Sequence, residues 1–521
     1  MRDNQRLLGV DIGTTAIKVA LYDLDGKTEK VYSERNQVEN IYPGWAEQDM
    51  EKIWIKVCKL LKKMAIRTKA EDILSIGLSG QSGGLWLVNK NLNPIGKGVT
   101  WLDLRGTEII SQMDPMSITE LYEISGWKPF PGSGPILLKW FDIHQPKMLQ
   151  ESRFLLRCKD WVRLKLTDEV ASDPTDMIGF VDPETGKYSS KIFQILNLDE
   201  SYIELLPSLK KPWEKAGEVT RQAAKETGLM EGTPVIVGAY DVCSSALGAG
   251  VIKPGQMLSI IGTAGIYAAI SDKVVKDRQM KVSVNLHCVP SRYVLNSQSM
   301  LATPNIDWFI SEFCKDLTRE YKGKKIYEVC DKLVETVEPS SGFIIYHPYL
   351  QGEMSPIMNP YARGSFFGLS IWHKRENILR SIYEGVGYSM LDNILQLSKF
   401  VTAGEEVTVI GGGSKSQVWL KILSDICGLR IKVPVGEEFG CRGAAINAGL
   451  GIGVFKSHEE ALESLLKTRF LITPTHKHTE LYKRLFKIYQ EFYKRVEDLW
   501  SELEEIRKFY YETAENKEVK S

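Results

Sequence analysis

The residues that could do chemistry in this chain cluster after short apolar runs. Asp11-Ile12-Gly13-Thr14-Thr15 follows the run Leu7 to Val10, with Lys18 close behind. Glycine lets backbone N–H groups come close to an anion, and the two threonine hydroxyls add donors. Asp11, at a strand end, is suited to hold a Mg²⁺ ion directly or through water. The bland alternative is a plain hairpin turn. A second loop, Gly262-Thr263-Ala264-Gly265, follows Met257 to Ile261. A third, Gly411-Gly412-Gly413-Ser414-Lys415-Ser416, follows Glu405 to Ile410. Its glycines leave a flat surface at a helix start, where a purine ring or an anion could rest. The three loops together point to a bound polyphosphate. No GxxxxGK[ST] occurs, and no HRD and DFG pair in suitable order, so neither a Walker-type site nor a protein kinase is indicated.

Asp241 ends the run Val235-Ile236-Val237-Gly238-Ala239-Tyr240 and opens a helical pattern. A carboxylate there can cap the helix, or serve as a general base toward an attacking hydroxyl. Gln81 and Ser82 lie just past the apolar run Ile73 to Leu78. Asp103 and Arg105 interrupt an apolar stretch beside Trp101. Polar groups next to an aromatic face suit a polyhydroxylated ligand. The alternative for Asp103 and Arg105 is a surface salt bridge between the two.

The elements that must position these residues follow from hydrophobic periodicity. Leu7 to Val10 and Ala16 to Tyr22 read as a hairpin, Ile53 to Ala65 as a helix, and Ile73 to Leu78 as a buried strand. The same grammar returns with a strand at Pro234 to Gly238, a helix at Cys243 to Ala249, and a hairpin of Met257 to Ile261 with Ile266 to Ile270. The echo suggests an internal duplication. Glu405 to Ile410 predicts a strand, Gln417 to Cys427 a helix, and Gly440 to Leu450 a small-residue helix that packs closely. Thr479 to Arg507 predicts a charged amphipathic helix with apolar positions Leu481, Leu485, Ile488, Phe492 and Val496. It either lies on its own domain or binds a partner. Residues 512–521 are expected to fray.

The chain has 521 residues, too many for one core, so at least two domains are expected, 1–250 and 251–521. Lys plus Arg and Asp plus Glu stand at 66 each, which gives no general drive toward nucleic acid or an anionic membrane. The 8 cysteines form no CxxC pair and read as buried reduced thiols. With no long apolar run, a cytoplasmic protein is expected.

These residues resemble the FGGY carbohydrate kinases from about Leu7 to Phe455. Gly9-Val10-Asp11-Ile12-Gly13-Thr14-Thr15 with Lys18 is similar to the family's first phosphate motif, Gly262-Thr263 to its second, and Gly411-Gly412-Gly413-Ser414 to its adenosine motif. Gly364-Ser365-Phe366-Phe367-Gly368-Leu369, Asn377-Ile378 and Ser381-Ile382-Tyr383-Glu384 resemble its C-terminal signature; Pro135 to Trp140 only approximate the N-terminal one. The resemblance implies an α/β fold of two actin/hexokinase-like (ribonuclease H-like) ATPase domains around a central cleft. The first would bind a sugar and the second ATP. It implies Asp241 as catalytic base, Asp11 as the residue linked to Mg²⁺, and Gly13, Thr14, Thr15, Lys18, Gly262, Thr263, Gly411, Gly412, Gly413 and Ser416 around the nucleotide. Gln81, Ser82, Asp103, Arg105, Tyr240, Asp241 and Val242 would line the sugar.

Within the family the chain is most similar to xylulose kinases and their L-xylulose and erythritol relatives. Ser82-Gly83 stands where xylulose kinases commonly carry Met-His, and Val242 where they commonly carry Asn. A pentulose is the first expected substrate. A four- or five-carbon polyol, gluconate or glycerol are alternatives, as is a non-catalytic ATP-binding protein of the same fold. The expected partner is this small molecule, with no nucleic acid and no membrane; a homodimer is an open expectation.

Overall fold

A computed structural model describes residues 4–465 and 467–518. The chain forms two compact units. The first comprises Met1–Pro254, Ile270–Leu295 and Val435–Lys467; the second comprises Gly255–Ala269, Asn296–Pro434 and Thr468–Ser521.

In the first unit, β1 (Arg6–Ile12), β2 (Ala16–Asp23) and β3 (Thr28–Arg35) form an antiparallel meander. β1 also runs parallel to β4 (Ile73–Gly80). β5 (Lys215–Glu218) lies antiparallel on β6 (Pro234–Ile236), which runs parallel to β4. The predicted strand from Pro234 to Gly238 is in fact broken. A second short strand, β7 (Ala239–Tyr240), pairs with the end of β4. Gly238 makes the break at φ +87°, where a Cβ would lie 2.3 Å from the Leu78 carbonyl oxygen.

Two helices sandwich this sheet. Met50–Arg67 is capped by Asp49, whose side chain accepts from the Lys52 N–H. Such a cap is worth about 1 kcal/mol. The helix buries Ile53, Trp54, Val57, Leu60, Leu61 and Met64 in one core with Leu8, Val10, Ile17 and Val19 of β1 and β2. Helix Phe439–Gly451 packs against β1, β4 and helix Asp241–Ala249. A Cβ on Gly9 would sit 1.9 Å from the Cys441 carbonyl oxygen, and one on Gly443 1.9 Å from that of Ser244. Backbone meets backbone here, so the expected close packing of this small-residue helix is literal.

The second unit repeats the plan. β8 (Met257–Ile261) forms a hairpin with β9 (Gly265–Ser271) and runs parallel to β10 (Glu406–Ile410). β11 (Arg430–Pro434) lies parallel to β10, and β12 (Thr468–Ile472) antiparallel to β11. Hairpin plus parallel neighbour is the arrangement of β1, β2 and β4, so the sequence echo corresponds to a repeated topology.

The C-terminal helix spans His476–Glu518, through the stretch 512–518 expected to fray; 519–521 lie outside the described residues. Its buried face is offset from the predicted one. Tyr482, Leu485, Phe486, Tyr489, Tyr493 and Trp500 are buried, whereas Ile488 is 45% exposed. Tyrosine supplies apolar area and a hydroxyl that finds partners inside. Tyr482 donates to Glu384 at 2.7 Å, Tyr493 to Asp392 at 3.1 Å, and Tyr489 shares a 2.6 Å hydrogen bond with Tyr349. Glu384, part of the signature segment, also accepts from Ser341 Oγ and Arg380 Nε, so it ties this helix to its unit. Among the described residues no helix is long and apolar enough to cross a membrane.

Candidate active site

β1, β4 and β7 are parallel neighbours, and Asp11, Ser79 and Ala239 stand level across them. Asp241 comes two residues after Ala239. Asp11 and Asp241 therefore share the carboxyl end of three parallel strands, the end at which open α/β sheets receive ligands. Asp241 is the first residue of its helix and Tyr240 holds the cap position, so the carboxylate is not the N-cap. Burial pushes its pKa well above the usual carboxylate range; the charges of Asp11 and Asp176 add to this, and a hydrogen bond from the Val242 N–H opposes it.

Asp11 accepts from Ser79 Oγ at 2.9 Å. A Cβ on Gly440 would lie 2.7 Å from Asp11 Oδ2, so the start of helix Phe439–Gly451 closes over this carboxylate. Burial raises the pKa of Asp11, against the pull of Lys18 and Ser79. Lys18 itself is bound to Glu438 at 2.5 Å. Burial would lower the Lys18 pKa, but Glu438 outweighs it and holds the ammonium above its ordinary value.

The Gly13–Thr15 loop is held from several sides. Gly13 N–H donates to Ala16 O at 3.0 Å, Asn36 Nδ2 to Gly13 O at 3.0 Å, and Gln48 Nε2 to Thr14 O at 3.0 Å. The Thr14 hydroxyl donates to Gln81 Oε1 at 2.8 Å and accepts from Trp101 Nε1 at 2.9 Å. Of the two threonines expected as donors, Thr14 is thus engaged internally and Thr15 is exposed.

The remaining predicted residues divide. Gln81 joins the loop through Thr14, and Ser82 Oγ donates to Asp176 O at 2.8 Å. Tyr240 N–H donates to Thr175 Oγ1 at 3.1 Å. Val242 is buried in the core at 1% exposure. Asp103 and Arg105 do form a salt bridge, at 2.8 Å, but a buried one rather than one on the surface. Asp103 also accepts from the Ala46 N–H, and Arg105 reaches Glu47 at 2.6 Å and stacks 3.8 Å over Trp45.

Sequence reasoning passed over a charge network in the same unit. Lys159 Nζ lies 2.6 Å from Asp160, 2.8 Å from Asp173 and 3.2 Å from Asp176, all fully buried. Arg163 pairs with Asp160 at 2.8 Å. The Lys159-Asp160 dipeptide inside an apolar segment was the available signal.

In the second unit the two glycine loops meet. Ile260 and Ile410 stand level on β8 and β10. A Cβ on Gly411, at φ +92°, would lie 2.6 Å from the Ile261 carbonyl oxygen; one on Gly413 would lie 2.5 Å from Ile261 Cγ2. Gly262 O accepts from Thr303, while the Thr263 side chain is exposed. Gly412 is exposed, and Ser416 caps the following helix by accepting from the Trp419 N–H at 3.0 Å.

Comparison with known proteins agrees with this architecture. The profile of the FGGY family of carbohydrate kinases matches with its N-terminal domain at residues 6–248 and its C-terminal domain at 257–452. The chain belongs to the FGGY family of carbohydrate kinases. It is 28% identical over 501 residues to a probable L-xylulose kinase of Pasteurella multocida (strain Pm70), covering 95% of this chain and 98% of the relative. It is 29% identical over 461 residues to the xylulose kinase of Escherichia coli (strain K12), covering 88% and 92%. The structures of ligand-bound xylulose kinase and of gluconate kinase, both from Lactobacillus acidophilus, share its fold. Each has a TM-score of 0.88 at 22% identity over 96% of this chain, covering 100% and 99% of the respective structures.

Proposed function

We propose that this sugar kinase transfers the terminal phosphoryl group of ATP to a terminal hydroxyl of a pentulose, D- or L-xylulose first among them. The observation that carries the reading is the Asp241 carboxylate, two residues past the position level with Asp11, at the same sheet end, and held at a high pKa by burial. A carboxylate of raised pKa is the stronger base, and phosphoryl transfer otherwise asks for positioning and charge neutralisation. Asp241 would accept the proton of the attacking hydroxyl. Near-full-length similarity to relatives named for xylulose and L-xylulose supports the substrate class.

Asp11 fits a hard cation, being a carboxylate whose neighbouring ammonium is already shared with Glu438. It would hold Mg²⁺, directly or through water, and the ion when bound would neutralise phosphate charge. Gly13, Thr15 and Lys18 would face the phosphates from the first half of the chain, with Thr14 shaping their loop. Gly262, Thr263, Gly411, Gly412, Gly413 and Ser416 would hold the nucleotide from the second. Residues 1–250 would act as the sugar-binding half and 251–521 as the ATP-binding half, in a cytoplasmic enzyme. Gln81, Ser82 and Tyr240 would border the sugar, and the Asp103–Arg105 pair would brace that wall.

Ser82-Gly83 and Val242, in place of Met-His and Asn, weigh against D-xylulose, and the Tyr240-Asp241-Val242 run leans toward L-xylulose and toward a second reading, a four- or five-carbon polyol. A coupled ADP-release assay with Mg-ATP separates the two. The panel is D- and L-xylulose, D- and L-ribulose, erythritol, D- and L-threitol, xylitol, ribitol, glycerol and gluconate. Highest kcat/KM on a xylulose supports the first reading, and on a tetritol or pentitol the second. Silence on every sugar with ATP binding intact overturns both.

A further inference from the structure

The loop Gly262-Thr263-Ala264-Gly265 is fastened by its carbonyls. Gly262 O accepts from the Thr303 N–H at 3.0 Å and from Thr303 Oγ1 at 2.9 Å, and Thr263 O accepts from the Ala302 N–H at 2.8 Å. A trans peptide points its N–H opposite to its C=O. With both carbonyls turned toward Ala302 and Thr303, the N–H groups of Thr263 and Ala264 turn the other way, as an anion cradle requires.

The segment that fastens the loop is itself held by a buried carboxyl group. It leaves the strand Tyr293–Ser299, the neighbour of β9 in the sheet. Ser299 backs the loop directly, since a Cβ on Gly265 would collide with Ser299 Oγ. The next N–H, of Met300, donates to Glu353 Oε1 at 2.8 Å. The same oxygen accepts from the Met354 N–H at 2.8 Å, and the Ser355 N–H donates to Gln298 O at 2.9 Å. Glu353 thus joins its own turn to the near end of the segment Met300 to Thr303. Asn305 steadies the far end, donating to Leu301 O at 3.3 Å and Ala302 O at 3.2 Å.

Glu353 is an expensive choice for a purely structural brace. It is 4% exposed, and its Oε2 has no hydrogen-bond partner among the described residues. Burial pushes its pKa up to about 8 against the pull of the two N–H groups, and Asp392, a second anion, adds to the rise. An apolar side chain would fill the space without that cost. The Lys159 network answers its anions with cations; here the carboxyl is kept for what one oxygen holds.

We propose that Glu353 is a positioning residue for the phosphates of ATP. Through Met300 it sets Ala302 and Thr303, and through these the direction of the Thr263 and Ala264 N–H groups. The inference rests on the reading of Gly262 to Gly265 as a phosphate loop and adds to it a residue that touches neither nucleotide nor sugar.

The test is binding of ATP and of AMP to the full chain by calorimetry, with folding checked by circular dichroism. Glu353→Leu is expected to raise the Kd for ATP by about 10-fold or more and to leave that for AMP within about 2-fold, because only the outer phosphates reach the loop. Glu353→Gln keeps an acceptor oxygen and is expected to stay within about 3-fold of wild type for both. Glu353→Asp, whose shorter arm draws the oxygen back from Met300, is expected to lose ATP affinity in the same selective way, and it carries the test if the leucine variant does not fold. Thr263→Asp sets an anion on the exposed loop itself and tests the underlying reading. If Thr263→Asp weakens ATP and both Glu353→Leu and Glu353→Asp bind it as wild type does, the role of Glu353 is overturned alone. If Thr263→Asp leaves ATP binding unchanged, the phosphate-loop reading falls and takes the role with it. Equal losses for ATP and AMP, or a glutamine variant as weak as the leucine one, also overturn the proposal.

Discussion

Two sets of carboxylates stand in the first unit under opposite rules. Asp160, Asp173 and Asp176 are fully buried among Lys159, Arg157 and Arg163, three anions to three cations. Burial would raise the pKa of Asp160, yet Lys159 and Arg163 overcome it and hold the group below the carboxylate range. Asp176, at the edge of the network, is the exception: burial and the charges of Asp160 and Asp173 push it up to about 7 against the pull of Lys159 and Arg157. Asp11 and Asp241 have no such balance. Their pKa values stay raised, chiefly by burial, and Asp241 feels two anions and no nearby cation of comparable weight. Neutralised carboxylates build structure. Carboxylates left short of cations are poised to take a proton or a metal ion.

The sharpest way to break the contrast is Lys159→Met. Three buried carboxylates would lose their common partner, and a loss of about 3–5 kcal/mol in urea unfolding is expected. Survival within about 1 kcal/mol of wild type would mean that the network is not structural.

Asp241→Asn should act the other way round. A fall in kcat of roughly 10²–10⁴ with ATP affinity retained is expected from loss of the base. Stability should rise. Because the folded pKa is raised, the folded state resists ionisation, and wild-type stability declines as pH climbs from the ordinary carboxylate value toward the raised one. The variant escapes that penalty, so its Tm advantage should grow as pH rises above the ordinary carboxylate range. A variant less stable than wild type at pH 8 would contradict the assigned environment, and near-normal turnover would contradict the assigned role.

Gly440→Ala is expected to be milder, lowering kcat by about 10-fold as its Cβ displaces Asp11 Oδ2. Its unfolding free energy should change by about 1 kcal/mol or less if Asp11 moves instead of the helix. An unchanged kcat would show that Asp11 has room to spare. Lys18→Met should be the gentlest for stability. The Lys18–Glu438 pair is partly exposed, so about 1 kcal/mol at most is expected in denaturant titration. A much larger loss would move that pair into the structural set.

The strands and their loops were legible because burial writes itself into sequence as apolar runs, and glycines mark where they end. Helix Gln417–Cys427 was read to its boundaries. What stayed hidden depends on distance along the chain. Nothing near Asp11 announces that Glu438 and Gly440 will cover it. The inward face of the C-terminal helix was misread because tyrosine looks polar by composition, yet goes inside when its hydroxyl has a partner such as Glu384 or Asp392. The Lys159 network was hidden for the same reason, since charged residues signal a surface unless their neutralisers can be foreseen.

Helix Phe439–Gly451 has one more consequence, for the order in which the molecule can be made. It covers the sheet that begins at Arg6, and its backbone fills the space left by Gly9 and Gly77. A ribosome delivers that cover only after more than four-fifths of the chain has emerged. Until then that face of the sheet lacks its cover, and its apolar residues stay exposed. An isolated fragment ending at Pro254 should therefore aggregate, although its strands are all present.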